Sequence, residues 1–94
     1  MAFEGRKKRP YTKEDAEKLK KKQMGVYGIY KKGTWIYVGR GDIRDRMLAH
    51  IGGDNPCITR QKPTRWVGEL SDDPVALEKK YIKELNPVCN KKVG

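Results

Sequence analysis

The sequence predicts an α+β fold, a small three-stranded antiparallel sheet flanked by helices, with an extra basic helix on its N-terminal side. Aromatic and β-branched runs on both sides of Lys31-Lys32-Gly33 indicate a hairpin, and two later stretches combine helix-capping residues with helical spacing. Ninety-four residues are enough for one small hydrophobic core. We therefore expect a basic arm and lead-in helix at residues 1–23 and the folded domain at residues 24–94.

The lead-in is predicted to consist of a flexible basic arm before Pro10 and a helix after it. Thr12 suits the N-cap of this helix, Asp15 weakly completes a capping box, and the helix is expected to continue to about Gln23. The first 23 residues contain nine lysines and arginines against four acidic residues. This charge fits either a solvated lead-in or an electrostatic contact with phosphates.

The hairpin is predicted to have the three-residue loop Lys31-Lys32-Gly33, in which Gly33 adopts the left-handed conformation. With Tyr30 opposite Thr34, Tyr27 is expected directly opposite Tyr37. Strand side chains alternate between two faces, and the predicted faces are Tyr27, Ile29, Trp35 and Tyr37 on one side and Val26, Tyr30, Ile36 and Val38 on the other. The second face is largely aliphatic and is expected to be buried, whereas the two phenols remain available for chemistry.

A helix is predicted to follow the hairpin directly, because Asp42 suits its N-cap. Its buried stripe is expected to consist of Ile43, Met47, Leu48 and Ile51. Arg46 and His50 are four residues apart and therefore share a ridge beside that stripe, directed toward the sheet. The glycines after Ile51 should end the helix, and the chain is expected to be irregular through Pro63.

Residues 64–70 alternate as a third strand, and a last helix is expected from the N-cap Asp73 to Asn86-Pro87. The apolar arc of this helix is predicted to contain Leu77, Tyr81, Leu85, Ile82 and Val75. Glu78 falls inside this arc, where an unpartnered carboxylate would be costly. It therefore needs a metal, dense hydrogen bonding or a cation, and a buried ion pair with Arg40 or Arg46 is the structural alternative.

The composition favours a polyanionic partner, since the formal net charge is +10 and the pI is near 9.8. Nucleic acid is the commonest such partner, although a ribosomal-type protein or a membrane-surface binder would have similar totals. Cys57 and Cys89 lie far apart with no second pair, which argues for ordinary thiols rather than a disulfide or structural zinc. Nothing at the N-terminus suits a signal peptide or membrane span, so a cytoplasmic, nucleoid-associated location is expected rather than secretion.

Several of these residues occur together in a known order: Gly25-Val26-Tyr27, Tyr37-Val38-Gly39, Ile43, Arg46 and His50, then Glu78 and Asn90. This pattern resembles the signature of the GIY-YIG nuclease family, in the variant seen in bacterial excision repair. The literal string Gly28-Ile29-Tyr30 lies too close to Tyr37, so Tyr27 is taken as the first tyrosine. The resemblance covers roughly residues 24–90, with Val38 in place of the usual isoleucine and one residue fewer between Gly39 and Arg46.

The resemblance implies a metal-dependent DNA endonuclease, in which Glu78 holds one Mg²⁺ or Mn²⁺ that polarises the scissile phosphate. Arg46 would neutralise transition-state charge, and Arg40 would bind a neighbouring phosphate. Asn90 would brace the site through its amide. The expected substrate is double-stranded or branched DNA in repair or in a mobile element, with a protein partner as a further source of specificity.

The resemblance also implies that Tyr27 takes the proton of the attacking water, and that Tyr37 orients the water or phosphate. A free phenol titrates near pH 10, so Tyr27 needs nearby cations to lower its pKa. His50 could share the proton transfer, and the residues leave open whether Tyr27 or His50 is the base. Two other classes also remain open: a non-catalytic basic DNA-binding module on the same fold and a purely structural basic protein.

Overall fold

A computed structural model describes residues 2–90, which form a four-stranded antiparallel sheet with helices on both faces. The elements are β1 Arg9–Pro10, α1 Lys13–Glu17, β2 Met24–Lys31, β3 Thr34–Asp42, α2 Ile43–Ile51, α3 Pro56–Gln61, β4 Arg65–Leu70, α4 Pro74–Leu85 and a 3₁₀ turn at Val88–Asn90. The strand order is β1-β4-β2-β3, so β3 lies at an edge of the sheet. The α+β prediction is confirmed, and the two-residue strand β1 is the addition to the predicted three strands.

The lead-in helix is shorter than predicted, because α1 ends at Glu17 rather than near Gln23. Thr12 is its N-cap as expected, and the Thr12 hydroxyl accepts a hydrogen bond from the Asp15 amide at 3.2 Å. The Asp15 carboxylate does not complete a capping box. It accepts a hydrogen bond from the Trp66 indole at 3.0 Å instead, which anchors α1 to β4.

The residues before Pro10 are not the free arm that the sequence suggested. Phe3 is 5% exposed and its ring stacks on Trp35 with 5.5 Å between centroids. Arg9 and Pro10 pair with Trp66 and Arg65 of β4. The N-terminal segment is therefore packed against the sheet.

The hairpin has a different register from the predicted one. Lys31 pairs with Thr34, which leaves a two-residue loop, Lys32-Gly33, with positive φ at both positions. A bulge follows, since Tyr30 pairs with Trp35 but Ile29 pairs with Tyr37. Tyr27 therefore lies opposite Gly39, not opposite Tyr37.

The bulge also changes which side chains share a face. Trp35 packs with Val26 and Val38 on the face covered by α4, whereas Ile36 packs with Tyr27 on the face covered by α2, the reverse of the prediction. Both faces are buried rather than one. The prediction that Tyr27, Ile29 and Tyr37 share a face is nevertheless confirmed.

The segment expected to be irregular contains the helix α3, whose N-cap is Asn55 and which begins with Pro56. Ile58 of α3 is completely buried.

The two cysteines are also not free thiols, because Cys57 in α3 forms a disulfide with Cys89 in the 3₁₀ turn. Within residues 2–90, each helix is too short or too polar to cross a membrane.

Candidate active site

The buried centre of the site is a hydrogen bond between Tyr27 on β2 and His50 on α2. The Tyr27 hydroxyl lies 2.7 Å from His50 Nε2, and the two residues are 1% and 2% exposed. Asp42 ends β3 and caps α2, so the helix starts at the strand end and directs His50 back toward the sheet. The predicted placement of His50 is confirmed. We name Tyr27, Tyr37 and His50 the phenol–imidazole cluster.

Tyr37 completes this cluster from β3. Its ring centroid lies 6.2 Å from that of Tyr27 and 5.2 Å from that of His50. Gly39 makes this packing possible, because a Cβ at this position would lie 2.4 Å from the Tyr27 hydroxyl and 2.8 Å from Tyr37 Cε2. The glycine after Tyr37-Val38 is thus required by the tyrosine that crosses it from the neighbouring strand.

Asp54 is a site residue that the sequence analysis missed. One oxygen of its carboxylate, Oδ1, lies 2.8 Å from His50 Nδ1, and the other, Oδ2, lies 3.3 Å from Arg46 Nη2. Asp54 therefore contacts two residues that the sequence did identify. The available signal was an acidic residue four positions after the only histidine of the chain.

The cluster is electrically neutral near pH 7. Burial raises the pKa of Tyr27 above its ordinary value, and this effect exceeds the lowering by Arg46. Burial also lowers the pKa of His50, and Asp54 offsets this only in part. Arg46 lowers the pKa of Tyr27 as expected, but burial outweighs this effect, so the net pKa is raised rather than depressed. Because the Asp54 carboxylate only accepts, Nδ1 of the neutral imidazole carries the proton and Nε2 accepts from the Tyr27 hydroxyl.

Glu78 lies on the other side of the β3 edge, paired with Arg40. Glu78 Oε1 and Arg40 Nε are 3.2 Å apart, with side chains 24% and 49% exposed. The Glu78 carboxylate therefore lies at the margin of α4 and is not enclosed in the apolar arc that was predicted for this helix. Val75 was also predicted to belong to that arc, but it is 55% exposed. The structure shows the pairing with Arg40 that was the alternative interpretation, but at the surface rather than buried. We name Arg40 and Glu78 the carboxylate edge.

The two parts of the site meet at β3. Arg40 lies opposite Val26 and so faces α4, while Tyr37 faces α2. Burial raises the pKa of Tyr37, and the negative charge of Glu78 raises it further. Because β3 is an edge strand, groups from both faces of the sheet can approach each other around it.

Asn90 supports this edge through the backbone of β3. Its Oδ1 accepts from the Val38 amide at 2.7 Å, and its Nδ2 donates to the Val38 carbonyl at 2.9 Å. The side chain thereby satisfies both outward backbone groups of an edge-strand residue. The neighbouring disulfide through Cys89 ties the same turn to α3.

The donor set suits a hard divalent cation held mainly by water and substrate. In the part of the chain that the structure describes, no group of three or more His, Cys, Asp and Glu side chains could hold a metal ion. Glu78 is a partly exposed carboxylate at an open strand edge. Mg²⁺ is commonly bound through one or two carboxylates with several retained waters, so Glu78 fits this mode.

The sheet topology and the helices on its two faces define a GIY-YIG-like domain fold. The chain is similar to the crystal structure of the GIY-YIG N-terminal endonuclease domain of UvrC from Thermotoga maritima, a tyrosine-to-phenylalanine point mutant bound to its catalytic divalent cation. The TM-score is 0.71 at 22% sequence identity, over 86% of this chain and 100% of that chain. No protein-family model and no curated protein matches the sequence.

Proposed function

We propose that this protein is a divalent-metal-dependent endonuclease that hydrolyses a phosphodiester bond of DNA. The observation that carries the proposal is the arrangement around β3, where the Tyr27–His50 hydrogen bond lies on one side and the Arg40–Glu78 ion pair on the other. The similar solved domain is an endonuclease domain with a catalytic divalent cation, which supports the same class of activity here.

Glu78 would hold one Mg²⁺ or Mn²⁺, which when bound polarises the scissile phosphate and stabilises the leaving oxygen. The Arg40 side chain is half exposed, so its guanidinium can leave Glu78 and pair with a neighbouring phosphate instead. Arg46 has a side chain 41% exposed and can stabilise negative charge in the transition state. Asn90 keeps β3 in place through Val38.

Tyr27 and His50 together accept the proton of the attacking water. As water forms its bond to phosphorus, its proton passes to the Tyr27 oxygen while the phenolic proton passes to His50 Nε2. The bond from phosphorus to the 3′ oxygen breaks, which leaves a 5′-phosphate, and the 3′ oxygen takes a proton from solvent. This relay needs no free phenolate, consistent with the raised pKa of Tyr27. Tyr37 would orient the water or the phosphate.

A non-catalytic DNA-binding module is the second candidate. Two observations favour it: Arg40 already pairs with Glu78, and the chain has a formal net charge of +10. In both cases residues 1–23 would add an electrostatic contact, while a partner protein could supply specificity. The cytoplasmic, nucleoid-associated location stays a prediction, and the Cys57–Cys89 disulfide is a cross-link that is rare in reducing compartments.

Plasmid nicking in Mg²⁺, Mn²⁺ or chelator distinguishes the candidates. We compare the intact protein with Glu78→Ala and with Glu17→Ala, an exposed acid whose loss changes the net charge equally. At matched DNA occupancy, we expect chelator to stop nicking and Glu78→Ala to lower its rate at least about 100-fold, with Glu17→Ala unaffected. Nicking that survives Glu78→Ala would remove the metal assignment, and DNA binding without nicking by the intact protein would favour the module.

A further inference from the structure

We infer that Asp54 is a positioning residue for the proposed reaction, holding both the imidazole of His50 and the guanidinium of Arg46 in the orientation that Tyr27 requires. This inference rests on the proposed function. Its two contacts use different oxygens of one carboxylate, at 2.8 Å to His50 Nδ1 and 3.3 Å to Arg46 Nη2.

The turn after α2 brings Asp54 back to the helix. The Gly53 amide donates to the His50 carbonyl at 3.0 Å, and the Asp54 amide donates to the Ala49 carbonyl at 3.2 Å. Gly53 has φ +94, a conformation that glycine adopts without strain and that is common just beyond a helix end. The carboxylate is thus placed by backbone hydrogen bonds, although its side chain is 37% exposed.

The contact with Nδ1 determines which tautomer His50 adopts. Since Asp54 accepts the Nδ1 proton, Nε2 is left as the acceptor for the Tyr27 hydroxyl. When His50 receives the phenolic proton it becomes a cation, and the nearby carboxylate stabilises that cation. Arg46, held by the same carboxylate, remains close enough to Tyr27 to lower its pKa in opposition to burial.

The groups that face this unit come from several elements. Tyr27 and Tyr37 contact His50 from the sheet, Arg46 lies one helical turn before it, and Asp54 contacts it from the turn. Tyr11, in the segment before α1, is near enough to Asp54 that the carboxylate charge, after burial, helps raise its pKa to about 12. Within residues 2–90, Asp54 is the acid that favours protonated His50, so its removal should lower the pKa of His50 further.

The test is ¹⁵N NMR of the imidazole together with cleavage kinetics, and it is simple because the sequence contains one histidine. We compare the intact protein with Asp54→Asn and with Asp72→Asn, an exposed acid whose replacement changes the charge equally. In Asp54→Asn we expect more of the Nε2-protonated tautomer, a lower His50 pKa and a kcat reduced about 10- to 100-fold with little change in KM. A buried triad aspartate can cost about 10⁴-fold, and the smaller loss reflects the exposure of Asp54.

The inference is overturned if Asp54→Asn leaves the tautomer and pKa of His50 unchanged. It is equally overturned if the tautomer changes but kcat matches that of Asp72→Asn. Failure of the intact protein to cleave DNA, with a normal His50 spectrum, would instead contradict the proposed function. The two failures therefore give different results.

Discussion

The phenol–imidazole cluster and the carboxylate edge belong to one proposed site but differ in physical character. Tyr27 and His50 are almost completely buried and hydrogen-bonded to each other. Arg40 and Glu78 form an ion pair at the surface, with side chains 49% and 24% exposed. The first region is fixed by packing before substrate arrives, whereas the second can exchange its partner for a metal or a phosphate.

This difference determines what substitutions should do. A buried acceptor that loses its hydrogen-bond partner costs about 1–3 kcal/mol of stability, whereas an exposed ion pair contributes about 0–1 kcal/mol. Changes in the cluster should therefore affect both stability and cleavage. Changes at the carboxylate edge should affect cleavage while leaving stability nearly unchanged.

Tyr27→Phe should have the largest effect on cleavage. It removes the hydroxyl that connects water to His50, so we expect nicking to fall roughly 10³-fold, within the range of general acid–base catalysis. It also leaves His50 Nε2 buried without its donor, at about 1–3 kcal/mol of unfolding free energy. Nicking rates and thermal melting measure the two effects. Glu78→Ala should lower the nicking rate by at least about 100-fold while leaving the melting temperature nearly unchanged. A Tyr27→Phe variant that cleaves normally would contradict the relay.

The Cys57–Cys89 disulfide should make the largest single contribution to the stability of the 3₁₀ turn and of the edge strand β3 that this turn supports. Cys57 and Cys89 are separated by 32 positions, and cross-links of this span typically contribute about 2–4 kcal/mol. Reductant, or Cys57→Ser, should lower the melting temperature and loosen the contact of Asn90 with Val38. The double variant Cys57→Ser/Cys89→Ser is the control, and it should not respond to reductant. An intact protein that melts identically with and without reductant would contradict the cross-link.

Gly39→Ala tests how tightly the cluster is packed. The added methyl group would overlap the Tyr27 hydroxyl, so we expect a loss of about 1–3 kcal/mol measured by denaturant unfolding. Gly52→Ala is the control. A Cβ at Gly52 would lie 3.3 and 3.4 Å from the nearest backbone oxygens, which is a tight contact but not the overlap expected at Gly39. Equal stability of the two variants would show that the rings can separate freely.

The pH dependence of stability should be the smallest of these effects. The folded-state pKa of His50 lies below its ordinary value of 6.5, so the unfolded chain binds the proton more tightly. The stability contributed by neutral His50 is thus complete above about pH 6.5 and is lost as the pH falls toward the folded-state pKa. We compare the melting temperatures of the intact protein and of His50→Gln between pH 7.5 and pH 5. The difference between the two should become smaller as the pH falls. Parallel curves would contradict the burial of a neutral imidazole.

Local signals in the sequence predicted much of the fold. Thr12, Asp42 and Asp73 each cap the helix that was expected to follow them. The register of the hairpin was not predictable from alternation, because the bulge near Ile36 inserts a residue that a period of two cannot reveal. Asn55-Pro56 was a helix-start signal for α3 that the surrounding glycines obscured.

The site was predictable to the extent that it depends on local spacing. The four-residue step from Arg46 to His50 predicted their common direction toward the sheet. The Glu78–Arg40 pair and the Cys57–Cys89 disulfide depend on how α4 and the 3₁₀ turn approach β3. No property of a helical wheel or of cysteine spacing contains that information, so these contacts needed the tertiary structure.

The central claim is that the phenol–imidazole cluster and the carboxylate edge surround one cation. Titration with Mn²⁺ tests it directly, since this paramagnetic ion broadens the NMR signals of nearby protons. We predict selective broadening of the Tyr37 and His50 ring signals, which Glu78→Ala abolishes and Glu17→Ala preserves. Broadening that persists in Glu78→Ala, or that leaves both rings unaffected in the intact protein, would contradict a shared site.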